Sequence, residues 1–319
     1  MSAYIIKRLI QGLVIIVLVS LATFFIMRLT PGDPLSLYLY QTNISTLTEE
    51  QHHELEVKFG LDKPMPIQYF KWIGGVLHGD LGYSWTTNQS VAEVVKQRVP
   101  ITLYLGALAL IISAILGPLL GVISALRRGT WIDTVISVIA NVGITMPVFW
   151  LGIVLIWVFA VVLKWLPIYG FVSPFTDFWQ SLKTIIMPVF CLSLPPLAGL
   201  VRLMRSSALN VTNQDYIRTA RSKGLKERNI VTRHILKNAF IPVMTMLGMQ
   251  LGTIIGSTVL IESVFNIPGM GRALVNGVFS KDYQVVQAGA LISAALVVIT
   301  NIVVDISYGW FDPRIREGD

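Results

Sequence analysis

Only a few stretches of this sequence combine residue types that could bind a nucleotide, and each departs from the required pattern. A P-loop needs Gly-Lys followed by Ser or Thr to hold phosphates, and this combination does not occur in the chain. Gly269-Met270-Gly271 begins like a dinucleotide-binding loop, but Leu274 stands where the third glycine belongs. We therefore interpret this stretch as a turn.

Histidines and carboxylates give equally little support for a catalytic centre. His53 and Glu54 begin the zinc-protease helix pattern, but Val57 replaces the second histidine. Glu262 and Asp305 are the only acids within the predicted apolar spans, and each lies near the end of its span. A proton-coupled carrier would need such a group near the middle of the membrane. The residue types therefore favour a protein whose energy source is external to this chain.

The composition excludes a soluble globular protein. Of the 319 residues, 54% are hydrophobic and 13% are charged, with a mean hydropathy of +0.66. Soluble domains average about 25% charged residues. The net charge of +7 could indicate a nucleic-acid partner, but the excess lies beside apolar segments, as membrane orientation requires. We therefore expect a lipid bilayer and no nucleic acid.

Six apolar segments are long enough to cross a bilayer, for which a helix needs about 20 residues. Basic residues accumulate at both chain ends, at Arg127 and Arg128, and from Arg202 to Lys237. This asymmetry predicts that both termini are cytoplasmic. The prediction is an all-α integral membrane protein. The predicted spans are residues 9–29, 101–126, 134–163, 184–204, 241–262 and 285–309.

These spans predict three regions of the chain. Residues 1–30 form an N-terminal tail and the first span, residues 31–100 form a large extracytoplasmic segment, and residues 101–319 form a core of five helices. The outer segment is too small to build much of a core of its own. It either receives another protein or packs as a lid on the spans. The residues predicted for docking are Asp80, Tyr83 and Trp85.

The polar loop at residues 205–242 has the pattern of two helices, the second running from Lys226 to Phe240. Asp215 can cap the first helix, and Gly224 can end it because glycine readily adopts the left-handed conformation. A helix of two turns is not stable alone in water, so it must rest on lipid, on the protein itself or on a partner. One face of this helix carries Tyr216, Ile217 and Ala220. The other face carries Arg218, Arg221 and Ser222.

Two features inside the apolar spans have both a packing and a functional interpretation. Met146-Pro147 interrupts the third span, because a proline removes a backbone donor. Gly248, Gly252 and Gly256 recur every four residues and give the fifth span a face of small residues. Helix packing explains each of them, and the lining of a transport path is the alternative.

The stretch DYIRTARSKGL at Asp215–Leu225 resembles the EAA loop of ABC-transporter permeases, and more narrowly that of dipeptide, oligopeptide and nickel importers. The family pattern is Glu-Ala-Ala, three residues and glycine, which matches Arg218, Thr219 and Ala220 before Gly224. The glutamate is absent, so contacts that depend on it do not carry over. Further similar segments are Pro31–Pro34, Gly60–Pro64, His78–Trp85, Phe265–Arg272, Asp282–Gln287 and Phe311–Arg316.

The resemblance implies the fold of a type I ABC importer permease and a role as the first, B-type permease of a peptide importer. Its partners would be a second homologous permease, two ATP-binding subunits that hold ATP and Mg, and an extracytoplasmic solute-binding protein. The chain itself would need no cofactor and catalyse no reaction. It would lie in the inner membrane of a bacterial or archaeal cell.

The resemblance also assigns expected roles to residues. The loop would form the coupling helix that sits in a cleft of an ATPase subunit, with Tyr216, Ile217 and Ala220 facing that cleft. The fifth helix would border the translocation path. The expected coupling residues are Asp215, Tyr216, Ile217, Arg218, Thr219, Ala220, Arg221, Gly224 and Leu225. The expected path residues are Met146, Pro147, Gly248, Gly252 and Gly256.

Three other functions remain as alternatives. A nickel or glutathione importer shares the motifs of the peptide branch. A secondary transporter would need coupling-ion sites, which the apolar spans do not offer. An intramembrane enzyme would need a catalytic polar group with a base, and Ser113, Asn141 and Ser193 have no such neighbour in sequence.

Overall fold

The computed structural model describes residues 2–29, 49–59 and 62–311. The segment predicted to resemble the family at Pro31–Pro34, and most of that at Phe311–Arg316, lie outside these ranges. The described residues are mainly helical, with one short antiparallel hairpin in which β1 (Tyr83–Ser84) pairs with β2 (Gln89–Ser90). The helices are α1 (Ser2–Leu29), α2 (Glu49–Phe59), α3 (Met65–Leu77), α4 (Val91–Leu126), α5 (Trp131–Thr145), α6 (Val148–Leu155), α7 (Phe178–Thr212), α8 (Asp215–Ser222), α9 (Glu227–Asn229), α10 (Leu236–Val264), α11 (Met270–Phe279) and α12 (Tyr283–Phe311).

The described chain forms two compact units, and these differ from the three predicted regions. One unit contains Thr102–Ile267 and the chain from Thr300 onward. The other combines the described parts of Ser2–Ile101 with Pro268–Ile299. The predicted tail, outer segment and core are defined by the side of the membrane on which each lies, whereas the two units are defined by compactness. The predicted division therefore stays a prediction.

Four of the helices are long and apolar enough to cross a membrane as single rods, namely α1, α4, α7 and α12. Two bent pairs bring the number of candidate spans to six, as predicted. One pair is α5 with the helix at Val148–Val162, and the other is Glu227–Gln250 with Gly252–Val264, which meet at 48°. The all-α membrane fold is therefore confirmed.

The third predicted span, residues 134–163, is not one continuous helix. Helices α5 and α6 meet at 108°. Met146 adopts an extended conformation (φ −76°, ψ 126°), because the residue before a proline is disfavoured in the helical region. Pro147 then starts α6, where its missing N–H costs nothing. The helix after Leu155 widens into a π-helical turn at Ile156–Val162.

Three prolines do not break α7. The helix runs for 35 residues from Phe178 to Thr212 with Pro188, Pro195 and Pro196 inside it. It is therefore longer at both ends than the predicted span of residues 184–204. The Ser113 hydroxyl of α4 donates to the backbone oxygen of Ser193 (2.9 Å), shortly before the proline pair. Such contacts from a neighbouring helix help a proline-containing span to persist in lipid.

Two glycines of α4 allow it to lie very close to α7. A methyl group at Gly121 would be 2.7 Å from both the Val201 carbonyl oxygen and the Met204 Cβ. A methyl group at Gly117 would be 2.6 Å from the Leu200 Cβ. Neither site can hold a larger residue without a shift of α7. Spacing of four residues between glycines is typical of such close helix packing in membranes.

The second unit is organised around a buried carboxylate at the start of α12. Asp282 is 1% exposed and accepts hydrogen bonds from the Ser84 hydroxyl (2.6 Å), the Thr86 hydroxyl (2.9 Å) and the Thr86 backbone N–H (3.3 Å). Nearby, a buried apolar cluster joins Val91 to Ala273 of α11 and Val285 of α12. The hairpin is thus held by hydrogen bonds and by apolar packing together.

Candidate coupling loop

Helix α8 lies within the loop where the sequence predicts a short helix. It begins at Asp215, after Gln214 as its N-cap, and no side chain caps its first turn. The predicted capping role of Asp215 is therefore wrong, because Asp215 is already the first helical residue. A carboxylate in the first turn still interacts favourably with the helix dipole. The Thr219 hydroxyl donates back to the Asp215 carbonyl oxygen (3.0 Å).

The end of α8 confirms the predicted role of Gly224. Its φ is +75°, in the left-handed region that side-chain-bearing residues avoid. The Gly224 N–H donates to the Arg221 carbonyl oxygen (2.9 Å), and the Leu225 N–H donates to the Ala220 carbonyl oxygen (3.3 Å). This pair of bonds is the Schellman arrangement, which satisfies the last carbonyls of a helix.

One face of α8 is buried within the protein itself. Ile217 is fully buried and Ala220 is 6% exposed. The prediction that these two side chains face a groove on a partner is therefore wrong, because the chain's own helices already cover them. They belong to what we term the loop cluster, which joins α4, α7, α8, a second π-helical turn at Ile230–Ile235 and α10. The loop cluster contains Val122, Ala125, Leu200, Met204, Ala208, Ile217, Ala220, Ile230, Ile235, Ala239 and Val243.

The opposite face of α8 is exposed and basic. The Arg218 side chain is 72% exposed and lies 3.5 Å from Asp215, which is itself exposed. The Arg221 Nε donates to Glu227 (2.7 Å) at a partly exposed site. Exposed ion pairs of this kind contribute less than about 1 kcal/mol. Thr219 and Leu225 are also exposed. These side chains are available to a partner.

Tyr216 lies at the edge between the two faces. It is 45% exposed, and its hydroxyl accepts a hydrogen bond from the Asn238 side-chain amide (3.2 Å). Asn238 also donates to the His234 carbonyl oxygen (2.8 Å), one turn earlier in the same helical run. Tyr216 therefore fixes α8 against the chain that follows the loop, while part of its ring remains accessible.

The second helical run of the loop continues further than predicted. It begins with α9 at Glu227, passes through a π-helical turn at Ile230–Ile235 and continues as α10 beyond Pro242. The predicted stop before Pro242 is wrong. A proline removes one backbone donor, and a helix in a packed membrane domain tolerates that loss. The loop is consequently joined rigidly to α10.

A buried ion pair near the loop was not predicted. Arg205 of α7 binds Asp133 of α5 with two bonds of 2.8 Å, one from Nε and one from an Nη nitrogen. The Ser124 hydroxyl of α4 donates to the same carboxylate (2.6 Å), and so does the Gly129 N–H (3.0 Å). Asp133 is only 6% exposed. The ends of three helices are thus held by one carboxylate.

The predicted docking residues have different surroundings in the second unit. Tyr83 is 56% exposed, and Asp80 is exposed and accepts a hydrogen bond from the Gly82 N–H (2.9 Å). Trp85 is 9% exposed and packs with Met27 and Tyr283. The prediction that the Trp85 ring anchors a partner is wrong, because this chain already buries the ring. Asp80 and Tyr83 remain candidates.

The predicted path residues do not share one environment. Met146 is half-buried and Pro147 is exposed at the bend between α5 and α6. Along α10, Gly248 is buried, Gly252 is half-buried and Gly256 is exposed. A methyl group at Gly256 would meet no atom within 4 Å. Gly117 and Gly121 of α4 lie much closer to a neighbouring helix than Gly256 does.

The described residues offer no group of three histidine, cysteine or acidic side chains that could hold a metal ion. His53 lies 3.6 Å from Glu56 on α2, and both side chains are partly or largely exposed. Cys191 is buried in α7 and unpaired with another cysteine.

Comparison with known protein families identifies the class of the chain. A family model described as "Binding-protein-dependent transport system inner membrane component" matches residues 117–317, which include the bent pair, the loop cluster and α8. The chain belongs to this family. A second model, for the N-terminal part of such membrane components, matches residues 1–106. The protein is therefore a multi-pass membrane component of a transport system.

Relatives of this transport family match the chain from end to end. The oligopeptide transport system permease protein AppB of Bacillus subtilis is 39% identical over 319 residues, covering 99% of this chain and all of the relative. The di/tripeptide transport system permease protein DppB of Pseudomonas aeruginosa is 38% identical, covering 93% of this chain and 94% of the relative.

Two solved ABC transporters share the fold at low sequence identity. The MetNI methionine ABC transporter in inward-facing conformations matches with a TM-score of 0.53 at 17% identity, covering 68% of this chain and 94% of that chain. An amino acid ABC transporter crystallised with histidines matches with a TM-score of 0.50, with the same identity and coverage. The fold is that of a type I ABC importer permease.

Proposed function

We propose that this chain is one of two membrane subunits of an ATP-driven importer that takes up di- or oligopeptides across a bacterial inner membrane. The second membrane subunit is a homologous permease. Two ATP-binding subunits dock on the cytoplasmic loops, and an extracytoplasmic solute-binding protein delivers the peptide. The names of the full-length relatives, an oligopeptide and a di/tripeptide permease, support the peptide substrate. No observation on this chain favours nickel.

The observation that carries the proposal is the two-faced burial of α8. Its inner side chains, Ile217 and Ala220, are buried in the loop cluster, and its outer side chains, such as Arg218, are exposed. An ATPase subunit that binds the outer face would therefore contact a helix that is packed against α7 and α10. Packed interfaces of this kind move as rigid bodies rather than deforming.

This arrangement gives the mechanism of energy transfer. When ATP binding closes the two ATPase subunits, each subunit displaces the α8 that it holds. The loop cluster transmits the displacement to the ends of α4, α7 and α10, because its side chains are closely packed. Rotation of these helices exchanges inward-open and outward-open states, and the peptide crosses during the exchange. The chemical step belongs to the partner subunits.

Charge reversal on the outer face of α8 tests the coupling role. In Arg218→Glu, a negative side chain replaces a cation that is 72% exposed, so the internal packing of α8 stays intact. We expect the ATPase subunits to bind at least tenfold more weakly and peptide uptake to fall in proportion, because a charge mismatch at an interface opposes binding. Binding is measured by co-purification, and uptake by labelled peptide in proteoliposomes.

Arg127→Glu is the matched control, because it makes the same charge change at an exposed arginine that follows α4. The control complex should keep its ATPase subunits and its uptake rate. If Arg218→Glu also keeps both, α8 is not the contact with the ATPase.

The substrate assignment is tested separately with the wild-type complex. Proteoliposomes containing the complex and its solute-binding protein are given labelled dipeptides, labelled hexapeptides or ⁶³Ni²⁺. We expect ATP-dependent accumulation of at least one peptide and none of the nickel. Accumulation of nickel without any peptide uptake would reject the peptide assignment and leave the coupling role of α8 untouched.

A further inference from the structure

A polar groove lies between α5 and α7, next to the buried Asp133–Arg205 pair. Its open volume is about 570 Å³. Ser137 and Asn141 line it from α5, and Arg202, Ser206 and Asn210 line it from α7. In each helix these residues are four positions apart, so each set forms one face. Two polar helix faces therefore meet in this groove.

The groove carries positive charge and offers many donors. Arg128, Arg202 and Arg205 line it, and its lining contains no acidic residue. Arg205 is occupied by Asp133. Arg128 and Arg202 make no ion pair with any residue that the structure describes. Two arginines with adjacent amide and hydroxyl groups form a site suited to a phosphate group, which guanidinium groups bind with two bonds.

The wall beside the groove is apolar and exposed. Helix α5 exposes Trp131 (74%) at its start, followed by Val138 and Ile139 (54% each) and Val142 (45%). Val138 and Val142 are the direct sequence neighbours of Ser137 and Asn141, which line the groove. Tryptophan is typical of the interface between headgroups and acyl chains. A ligand in the groove would thus meet cationic groups at one end and an acyl-compatible surface next to them.

We propose that this groove binds the headgroup of an anionic phospholipid from the leaflet that adjoins the loop. Arg128 and Arg202 hold the phosphate, Asn141 and Asn210 provide hydrogen bonds, and the acyl chains lie along the exposed side of α5. The pair formed by Arg205 and Asp133 fixes the two helices that form the site. Basic pockets between membrane helices bind such headgroups in general. A soluble phosphate would satisfy the arginines but leave the apolar wall uncovered.

The site does not depend on which substrate the transporter carries. It depends on residues that line the groove and not on the exposed side chains of α8. Its test therefore uses lipid binding rather than transport, and failure of the peptide assignment would not affect it.

Native mass spectrometry of the purified complex tests the proposal. The complex is extracted from vesicles with equal amounts of phosphatidylglycerol and phosphatidylcholine of the same acyl chains. We expect the wild type to retain phosphatidylglycerol preferentially. The amount of phosphatidylglycerol retained by Arg128→Gln/Arg202→Gln should be at least tenfold lower. The control Arg127→Gln/Arg233→Gln removes two exposed arginines that do not line the groove, and it should retain the lipid.

Three further measurements keep the test decisive. Thermal unfolding shows whether the double variant is folded, and Arg128→Lys/Arg202→Lys, which keeps both charges, should recover part of the retention. Millimolar inorganic phosphate should leave the bound lipid in place. The proposal is wrong if the double variant retains as much phosphatidylglycerol as the wild type, if both lipids are retained equally, or if phosphate or an acidic peptide displaces the lipid.

Discussion

The loop around α8 and the hairpin region at residues 80–90 are both short polar segments whose residues suggest contact with a partner, yet the protein holds them in different ways. Apolar burial holds α8, through Ile217 and Ala220 in the loop cluster. The hairpin has apolar contacts as well, but it also depends on one buried carboxylate, since Asp282 accepts hydrogen bonds from Ser84 and Thr86. In both segments, a side chain predicted to anchor a partner is already buried in this chain.

The difference concerns how each attachment responds to change. Apolar packing is non-directional, so its energy falls gradually as contact area is lost. A buried carboxylate with several donors depends on one group, and its removal leaves the donors unsatisfied at once. We therefore expect the attachment of α8 to weaken by degrees as contact area is lost, and the attachment of the hairpin to weaken in one step when the carboxylate is lost.

The largest contrast between the two segments should be the side of the membrane that each faces. In a Cys191→Ser background, a cysteine at Gln89 in the hairpin should react with an impermeant thiol reagent in intact cells. A cysteine at Lys223, just after α8, should react only after the cells are opened. Both positions are exposed. Labelling of Lys223→Cys in intact cells would reverse the predicted orientation.

Removal of the apolar anchor should be the most costly single change to stability. Ile217→Ala deletes three carbons from a fully buried side chain, which typically costs 2–5 kcal/mol. Thermal unfolding in detergent measures the change. Leu225→Ala, at a side chain that is 42% exposed, is the control and should cost well under half as much. Equal costs at the two positions would show that α8 is not packed as described.

Removal of the hairpin's carboxylate should cost somewhat less. Asp282→Asn keeps the size of the side chain but removes its charge and one of its two acceptor oxygens, so the hydrogen bonds from Ser84 and Thr86 are weakened. The expected loss is about 1–3 kcal/mol, together with faster protease cleavage near Thr87. Asp80→Asn is the control, because Asp80 is exposed. Unchanged protease resistance in Asp282→Asn would contradict the proposed attachment.

The smallest loss of stability is expected from a substitution in the turn that ends α8. Gly224→Ala forces an alanine to adopt φ +75°, which should cost about 1–2 kcal/mol. Gly256→Ala is the matched control, since Gly256 lies within α10 and has open space around it. The control should be neutral. A neutral Gly224→Ala would show that the helix ends in another way.

Local features of the loop could be predicted from the sequence because neighbouring residues determine them. The short helix before Gly224 and its apolar face follow from residue spacing alone. The surface that covers this face could not be predicted, because an amphipathic pattern indicates burial without naming the covering element. The paired glycines Gly117 and Gly121 do carry a signal in the sequence, the four-residue spacing that is typical of close helix packing.

Contacts between distant parts of the sequence remained hidden for a different reason. Arg205 and Asp133 are 72 residues apart, and Ser84 and Asp282 are 198 residues apart. One sequence contains no pattern that pairs them, since each residue alone resembles an ordinary polar residue beside a membrane span. The bend at Met146-Pro147 shows a third limit, because the proline predicts an interruption but not its angle of 108°.

We propose that α8 presents its outer face to an ATPase subunit while its inner face stays buried in this chain. The most direct measurement is the thiol reactivity of single cysteines at positions 216–222, in the Cys191→Ser background, with and without the ATPase subunits. Without them, cysteines at Arg218, Thr219 and Ser222 should react rapidly, and those at Ile217 and Ala220 slowly. Added ATPase subunits should protect the fast positions alone. Fast reaction at Ile217 and Ala220 followed by protection there, or no protection at any position, would contradict the account.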